Sequence, residues 1–386
     1  MRKRVLTLLG AGATGGAVSI RRAAIAEIPL AIALLTAAAF WAYGSEWLAD
    51  PSRTGLVTLL SAWLFAVVLI GAFAVVRHAE ALAVHLGEPL GTLVLTLSVI
   101  SIEVVMISAL VLHGADNPTL ARDTMYAVAM IVLGGLVGVC LLVGGLRHRE
   151  QEYNLQGANA FLGLIMPLSV LALILPAYTR STPDATYSEL QASSLVIMAL
   201  GLYGVFLAVQ TVRHRSFFVD PHATSGVAGH QHDAARLYPA AAHALLLLSY
   251  LLPVVLLAKK LAIPVDYAVE QLGAPQALAG MVLAILVLSP EAFGAIRAAL
   301  GNHLQRAVNI ALGSVAATIG LTVPAVLTIS LITGHPLVLG LDVPEMILLV
   351  LTLAVSIVTF NSGRTNVLQG AVHIVLFFIY VLLIFD

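Results

Sequence analysis

The sequence predicts an all-α integral membrane protein of about eleven transmembrane helices, and three observations carry that expectation. Of 386 residues, 60% are hydrophobic and only 10% charged, where a soluble domain carries roughly 25% charged residues. The mean hydropathy is +0.99. Apolar runs long enough to cross the hydrocarbon layer as a helix recur along the chain between short polar breaks. The basic residues sort by alternate breaks, as they do when successive helices cross in opposite directions.

The first twenty residues look like a secretory signal, because Arg2, Lys3 and Arg4 precede an apolar stretch from Leu6 to Ile20. Glycines interrupt that stretch and Arg21 and Arg22 follow it, so it reads as a cytoplasmic tail ahead of a helix that can itself direct insertion. Gly10, Gly12 and Gly15 match a dinucleotide-binding fingerprint. The required βαβ context is missing, since a membrane span begins within a few residues.

Spans are expected near 24 to 43, 55 to 76, 90 to 112, 125 to 146, 158 to 177 and 190 to 212. A polar break with Asp220, Pro221, Gly226 and Gly229 follows, and spans resume near 237 to 258, 276 to 299, 306 to 333, 344 to 361 and 366 to 385. The chain thus divides into a tail and first helix (1–53), a five-helix half (54–212), a linker (213–236) and a second five-helix half (237–386). The linker lacks periodicity and reads as flexible. His214, His222, His230 and His232 in it show no fixed ligand spacing, so a plain polar linker is favoured over a pH sensor or metal site.

The distribution of charge tests the number of spans. With the N-terminus inside, the inner segments hold Arg2, Lys3, Arg4, Arg21, Arg22, Arg77, Arg147, Arg149, Arg213, Arg215, Arg236, Arg297, Arg306 and Arg364. The outer loops hold only Arg53, Arg122, Arg180, Lys259 and Lys260. A missed helix would scramble this split, so the N-terminus is expected in the cytoplasm and the C-terminus outside. Trp41, Tyr43, Trp47 and Tyr178 fall near span ends, where amphipathic rings anchor. A net charge of −1 argues against nucleic acid as a partner, which leaves lipid and small ions. The lone Cys140 can form no internal disulfide.

Glu103 and Glu291 lie deep inside predicted spans. An ionisable group in hydrocarbon costs at least ~2.5 kcal/mol, so both should face the protein interior. Each ends an apolar run with Ser-x-Glu, TLVLTLSVISIE at 92–103 and GMVLAILVLSPE at 280–291. They lie on the third and eighth spans, an offset of five, so the two segments cross in opposite directions, as an inverted repeat requires. The glutamates would then meet near the midplane and hold either a cation or protons, since two carboxylates in low dielectric resist being charged together. The competing structural reading pairs Glu291 with Arg297 on its own helix.

Pro290 should kink or break its helix and free carbonyls beside Glu291, giving a hard-oxygen site. Ser98, Ser101 and Ser289 could add hydroxyls, or simply bond back to their own helices. Gly134, Gly135 and Gly138, with Gly313 and Gly320, occupy the spans that follow the two glutamate helices and suit close packing. No cofactor is called for. A passive cation channel would use the same acids without coupling, and an intramembrane enzyme would need a nucleophile or metal motif that the sequence lacks.

The strings LGEPLGTLVLTLSVISIEVVMISAL (86–110), GGLVGVCLLVGG (134–145), LSPEAFGAIRAAL (288–300), LQRAVNIALGSVAATIGLTVPAVL (304–327) and SGRTNVLQGAVH (362–373) together resemble the calcium/cation antiporter superfamily, within it the ChaA-type sodium or calcium/proton antiporters. The resemblance implies an extra N-terminal helix followed by two inverted five-helix repeats in a bacterial inner membrane. It also implies exchange of Ca²⁺, Na⁺ or K⁺ for H⁺, with Glu103 and Glu291 as the shared cation and proton sites. Where vacuolar-type exchangers look like Gly-Asn-x-x-Glu, this chain has Val99 and Ile100, and Val287 and Leu288. It therefore lacks that amide as an ion ligand.

Overall fold

A computed structural model of the chain describes residues 25–48, 54–87, 90–111, 118–219, 238–270, 273–335 and 337–386. The fold is almost wholly helical. In chain order the helices are α1 (Ile28–Leu48), α2 (Thr54–Leu86), α3 (Leu90–Val111), α4 (Leu120–His148), α5 (Leu155–Tyr178), α6 (Glu189–Arg213), α7 (Ala240–Glu270), α8 (Ala277–Leu300), α9 (Leu304–Thr333), α10 (Val343–Thr359) and α11 (Val367–Ile384). Among the described residues, eight helices are long and apolar enough to cross a membrane, and α1, α3 and α10 carry shorter apolar stretches. Large apolar side chains such as Leu190, Ile332 and Val358 are more than 70% exposed, as they would be against lipid tails.

Two expected spans come out longer. The run near 55 to 76 extends to Leu86, and the one near 237 to 258 extends to Glu270. Hydropathy stops at the first polar residues, whereas α2 continues because Arg77 and His78 find partners inside the protein. Trp41, Tyr43 and Tyr178 are exposed, the condition an interfacial anchor needs.

The chain forms two compact units. Unit 1 comprises residues up to Leu95 and Ala228–Lys260, which brings together α1, α2, the start of α3 and most of α7. Its core contains Leu64, Val68, Val75, Tyr250 and Val254. Gly71 lets α2 approach α7, since a Cβ there would lie 2.5 Å from Val254 Cγ2.

Unit 2 comprises Thr96–Val227 and Leu261–Asp386. α4 and α9 are the most buried of its long helices. α4 meets α11 where Gly138 faces Gly370: a Cβ on Gly370 would fall 2.5 Å from the Leu142 amide nitrogen and 2.9 Å from the Gly138 carbonyl. α4 meets α8 at Gly280, where a Cβ would sit 2.7 Å from the backbone of Asp123 and Thr124. Both α4 and α9 contain a π-helical turn, Ile131–Leu136 and Thr318–Thr322. α5 and α6 also contain π-turns, Val170–Ile174 and Val209–Arg213; those of α4 and α9 begin at similar distances in sequence after Glu103 and Glu291.

The loops of unit 2 gather at two ends. At one, Val338 N–H donates to the Pro118 carbonyl, Gly340 N–H to the Ala185 carbonyl, and Arg122 Nη1 to the Gly340 carbonyl. At the other, Gln151–Glu152 and Arg364–Thr365 pair as a two-stranded antiparallel sheet, with Gln151 opposite Thr365. Gln151 Nε2 donates to the Ala299 carbonyl and Asn154 Nδ2 to the Ser216 carbonyl at this same end. Arg149, Arg215 and Arg364 lie at the second end, with Arg147 in the last turn of α4 beside them, and Arg122 and Arg180 lie beside the first. Capping boxes at Ser188 and Gln191, Asp342 and Glu345, and Asn366 and Gln369 satisfy the first amides of α6, α10 and α11.

The linker expectation needs one correction. Residues 215–218 form a 3₁₀ turn packed within unit 2, where Asn309 Nδ2 donates to the Phe218 carbonyl at 2.6 Å. His214 stacks on Phe217 at 4.7 Å. His222, His230 and His232 lie outside the described residues, as does the N-terminal tail through Ala24.

Candidate functional site

α3 buries Ser98, Ile102, Glu103, Met106 and Ile107, spaced three or four apart, while Leu97 and Val105 are exposed on its other side. That spacing puts Glu103 on the inward face, where it is 4% exposed. α8 does the same with Leu283, Val287, Leu288 and Pro290 against the exposed Phe293, leaving Glu291 half-buried.

Both carboxylates are met by α9. Thr318 Oγ1 and Thr322 Oγ1 donate to Glu103 Oε2 at 3.0 and 2.9 Å. Ser314 Oγ donates to Glu291 Oε2 at 2.6 Å. Ser314, Thr318 and Thr322 recur every four residues, so they form one polar stripe on an apolar helix. Neighbouring hydroxyls on that stripe are about one helical turn apart, or ~5.4 Å of rise. The two glutamates from α3 and α8 are thus held at adjacent levels of a single helix.

Among the described residues neither glutamate belongs to an ion pair, which sets aside the pairing of Glu291 with Arg297. Glu103 Oε1 is buried with no hydrogen-bond partner. A bare carboxylate oxygen in that position costs a full desolvation penalty. Chemically, Oε1 is an open acceptor that a proton or a cation could satisfy. Among the described residues no three acidic, histidine or cysteine side chains cluster as a metal centre, so a cation would rest on two carboxylates, hydroxyls and backbone carbonyls.

The three expected serines fare differently. Ser98 is buried on the Glu103 face. The Ser101 and Ser289 hydroxyls donate to the Leu97 and Ile285 carbonyls, one turn back on their own helices, at 2.6 and 2.5 Å. Of the kink or break expected at Pro290, no break occurs. α8 is continuous from Ala277 to Leu300, held in line by packing on α4 and α9. Pro290 withholds one hydrogen bond from the Leu286 carbonyl. The donors that sequence reasoning passed over are Ser314, Thr318 and Thr322, whose four-residue spacing in an otherwise apolar run was a readable signal.

The family model described as sodium/calcium exchanger protein matches residues 56–212 and 242–385. The protein y4hA of Sinorhizobium fredii is 45% identical over 335 residues, 86% of this chain and 89% of that protein. The sodium-potassium/proton antiporter ChaA of Escherichia coli is 43% identical over 319 residues, 82% of this chain and 86% of that protein. The solved structure of native YfkE, elsewhere described as a Ca²⁺/H⁺ antiporter, superposes with a TM-score of 0.67 at 19% identity, covering 90% of this chain and 99% of YfkE.

Proposed function

This chain belongs to the sodium/calcium exchanger family of cation antiporters, and on that premise we propose that it exports Na⁺, with K⁺ or Ca²⁺ as further substrates, in exchange for H⁺ through Glu103 and Glu291. The observation that carries the reading is the buried, unpartnered Glu103 Oε1 beside a second carboxylate, with no ion-pair partner for either among the described residues. Two negative charges one to one and a half helical turns apart, ~6–9 Å of rise, repel by about 2–3 kcal/mol at an effective dielectric of about 20. The doubly charged empty site is thus the disfavoured state, and crossing the membrane empty is suppressed. Loading by either a cation or protons relieves the repulsion, so the two ions bind in alternation and their flows are coupled. With one glutamate protonated the site has a single charge and suits Na⁺ or K⁺; with both ionised it suits Ca²⁺. Placing Na⁺ first is supported by the likeness to the sodium-potassium/proton antiporter.

The wider architecture follows the same reading: eleven spans, with α1 preceding two inverted repeats, α2 to α6 and α7 to α11. The π-turns of α4 and α9, at similar distances in sequence after the two glutamates, and the alternation of loops between two ends support it. The arginine-rich end is placed in the cytoplasm of a bacterial inner membrane, with the C-terminus outside.

The test is proton flux in vesicles with an imposed pH gradient. Addition of one of Na⁺, K⁺ or Ca²⁺ should collapse the gradient in the wild type and fail to do so in Glu103→Gln and Glu291→Gln. Cation-driven proton movement that survives in both variants would refute the assignment. Cation flux that follows membrane potential without moving protons would indicate a channel instead.

A further inference from the structure

The buried face of α11 reads Gly370, His373, Leu376, Tyr380 and Ile384, and His373 on it is 0% exposed. Its Nδ1 lies 2.6 Å from the Leu133 carbonyl oxygen of α4, and its Nε2 lies 3.0 Å from Thr359 Oγ1 at the end of α10. A carbonyl can only accept, so Nδ1 carries a proton and donates it to Leu133. In the neutral ring Nε2 is then the acceptor, and the Thr359 hydroxyl donates to it. Among the described residues, His373 is the only side chain that hydrogen-bonds the backbone of the π-turn to which Leu133 belongs, Ile131–Leu136.

That turn lies between His373 and the second glutamate. It packs on α11, on α8 and on the Leu304–Ala317 stretch of α9. α8 carries Glu291, and the α9 stretch carries Ser314, which donates to it. The register of α4 along α8 agrees. The two helices run in the same direction, with Gly280 against Asp123 and Thr124 near their starts and the Leu300 carbonyl against His148 near their ends. Glu291 follows Gly280 by as many residues as Gly134 and Gly135 follow Asp123 and Thr124, so it stands level with the middle of the π-turn. A π-turn holds one residue more than the α-helical path, which changes the phase of everything after it by about 100°. Ahead of the turn α4 meets Gly280 of α8, and after it Gly138 meets Gly370 of α11.

We propose that His373 is a positioning residue for cation exchange, which pins the Leu133 carbonyl and so holds the π-turn of α4 in the form that seats Ser314 of α9 against Glu291 of α8. The proposal rests on Glu291 being an exchange site. Without the Nδ1 donor the turn can tighten toward ordinary α-helical pitch, and the surface it offers to α8 and α9 moves. The Ser314 to Glu291 bond, at 2.6 Å, weakens steeply with displacement. The two ring nitrogens divide the work: Nδ1 holds the turn, whereas Nε2 ties α11 to the end of α10. Two substitutions separate them. In His373→Asn the amide nitrogen takes the place of Nδ1 and the Thr359 bond is lost. In His373→Gln the amide reaches the place of Nε2 and the Leu133 bond is lost. Each variant gives up one buried hydrogen bond, so a purely structural histidine would be harmed about equally by both.

The test is the apparent KM and kcat of proton flux driven by Na⁺, K⁺ or Ca²⁺ in vesicles carrying the full chain, for wild type and both variants. His373→Gln should raise the cation KM about tenfold, the worth of one buried hydrogen bond, while His373→Asn stays within about threefold of wild type. Melting temperature and kcat should be alike in the two. Equal KM values in Asn and Gln would overturn the proposal. One measurement needs no variant: ¹⁵N NMR of the wild type should show the His373 proton on Nδ1, and a neutral ring protonated on Nε2 would also overturn it. If no cation moves protons in the wild type, the exchange reading fails on its own. Amide hydrogen exchange then decides the pin: exchange across residues 131–138 and 310–318 that rises in Gln and not in Asn supports it, and equal exchange in both refutes it.

Discussion

Replacing Thr318 or Thr322 by Val removes one hydroxyl donor from Glu103 Oε2 and keeps the shape of the side chain. Hydrogen bonds to a charged acceptor are worth ~1.5–3 kcal/mol. Two donors share the one oxygen, so loss of either is partly covered by the other and the lower end applies. A loss of ~1.4 kcal/mol is tenfold in an equilibrium constant, or about one pH unit. The sign follows from which form is stabilised. The hydroxyls favour the ionised carboxylate, so without one of them the proton is held more tightly and is released only at higher pH. Each single variant should shift the alkaline-going limb of cation-dependent proton flux upward by about one unit, measured in vesicles at saturating cation. The double variant should shift it further and weaken apparent cation affinity, since a hydroxyl ligand is also lost. Identical pH profiles in wild type and both single variants would show that α9 does not tune Glu103, and the geometric argument for the site would fail.

Other outcomes follow from the same coordinates. Ser314→Ala should act on Glu291 as the threonine changes act on Glu103, raising the pH needed for exchange by a similar amount. Gly370→Val drives a side chain into the Gly138 and Leu142 backbone, and should cost several kcal/mol and lower the yield of folded protein in a thermal-stability assay. Glu152→Gln breaks the 2.6 Å pair with Arg364, but both side chains are well exposed. It should therefore cost under ~1 kcal/mol and leave melting temperature nearly unchanged. Burial pushes the Tyr187 hydroxyl up to about 12. It donates to the Leu171 carbonyl, so its contribution should be intact below about pH 10, the ordinary tyrosine range, and be lost as pH rises through 12. Alkaline unfolding of Tyr187→Phe should lack that step.

Much of this was legible in the sequence because lipid simplifies the problem. A buried acid in a span must face protein, so hydropathy alone places Glu103 inward, where it is 4% exposed, and within unit 2 Arg122 lies with the loops of one end and Arg364 with those of the other, as the sorting of arginines expects. What hydropathy could not reach was pairing. It ended α2 near residue 76 because Arg77 and His78 look like a water-facing break, although they are satisfied by Glu27 and His243, far off in sequence. It weighed Ser101 and Ser289 because they neighbour the glutamates in sequence, yet their hydroxyls stay on their own helices, and the donors come from α9. Pro290 removes a single backbone bond, which neighbouring helices can absorb without a break. The polar stripe at Ser314, Thr318 and Thr322 could have been found from its spacing alone.

The most direct test of a shared cation and proton site is proton release on cation binding to purified protein in weakly buffered detergent. Addition of Na⁺, K⁺ or Ca²⁺ should release protons in a saturable way near the pH where Glu103 carries one, and Glu103→Gln should abolish the release while remaining folded. Cation binding of undiminished affinity that releases no protons at any pH would contradict the account.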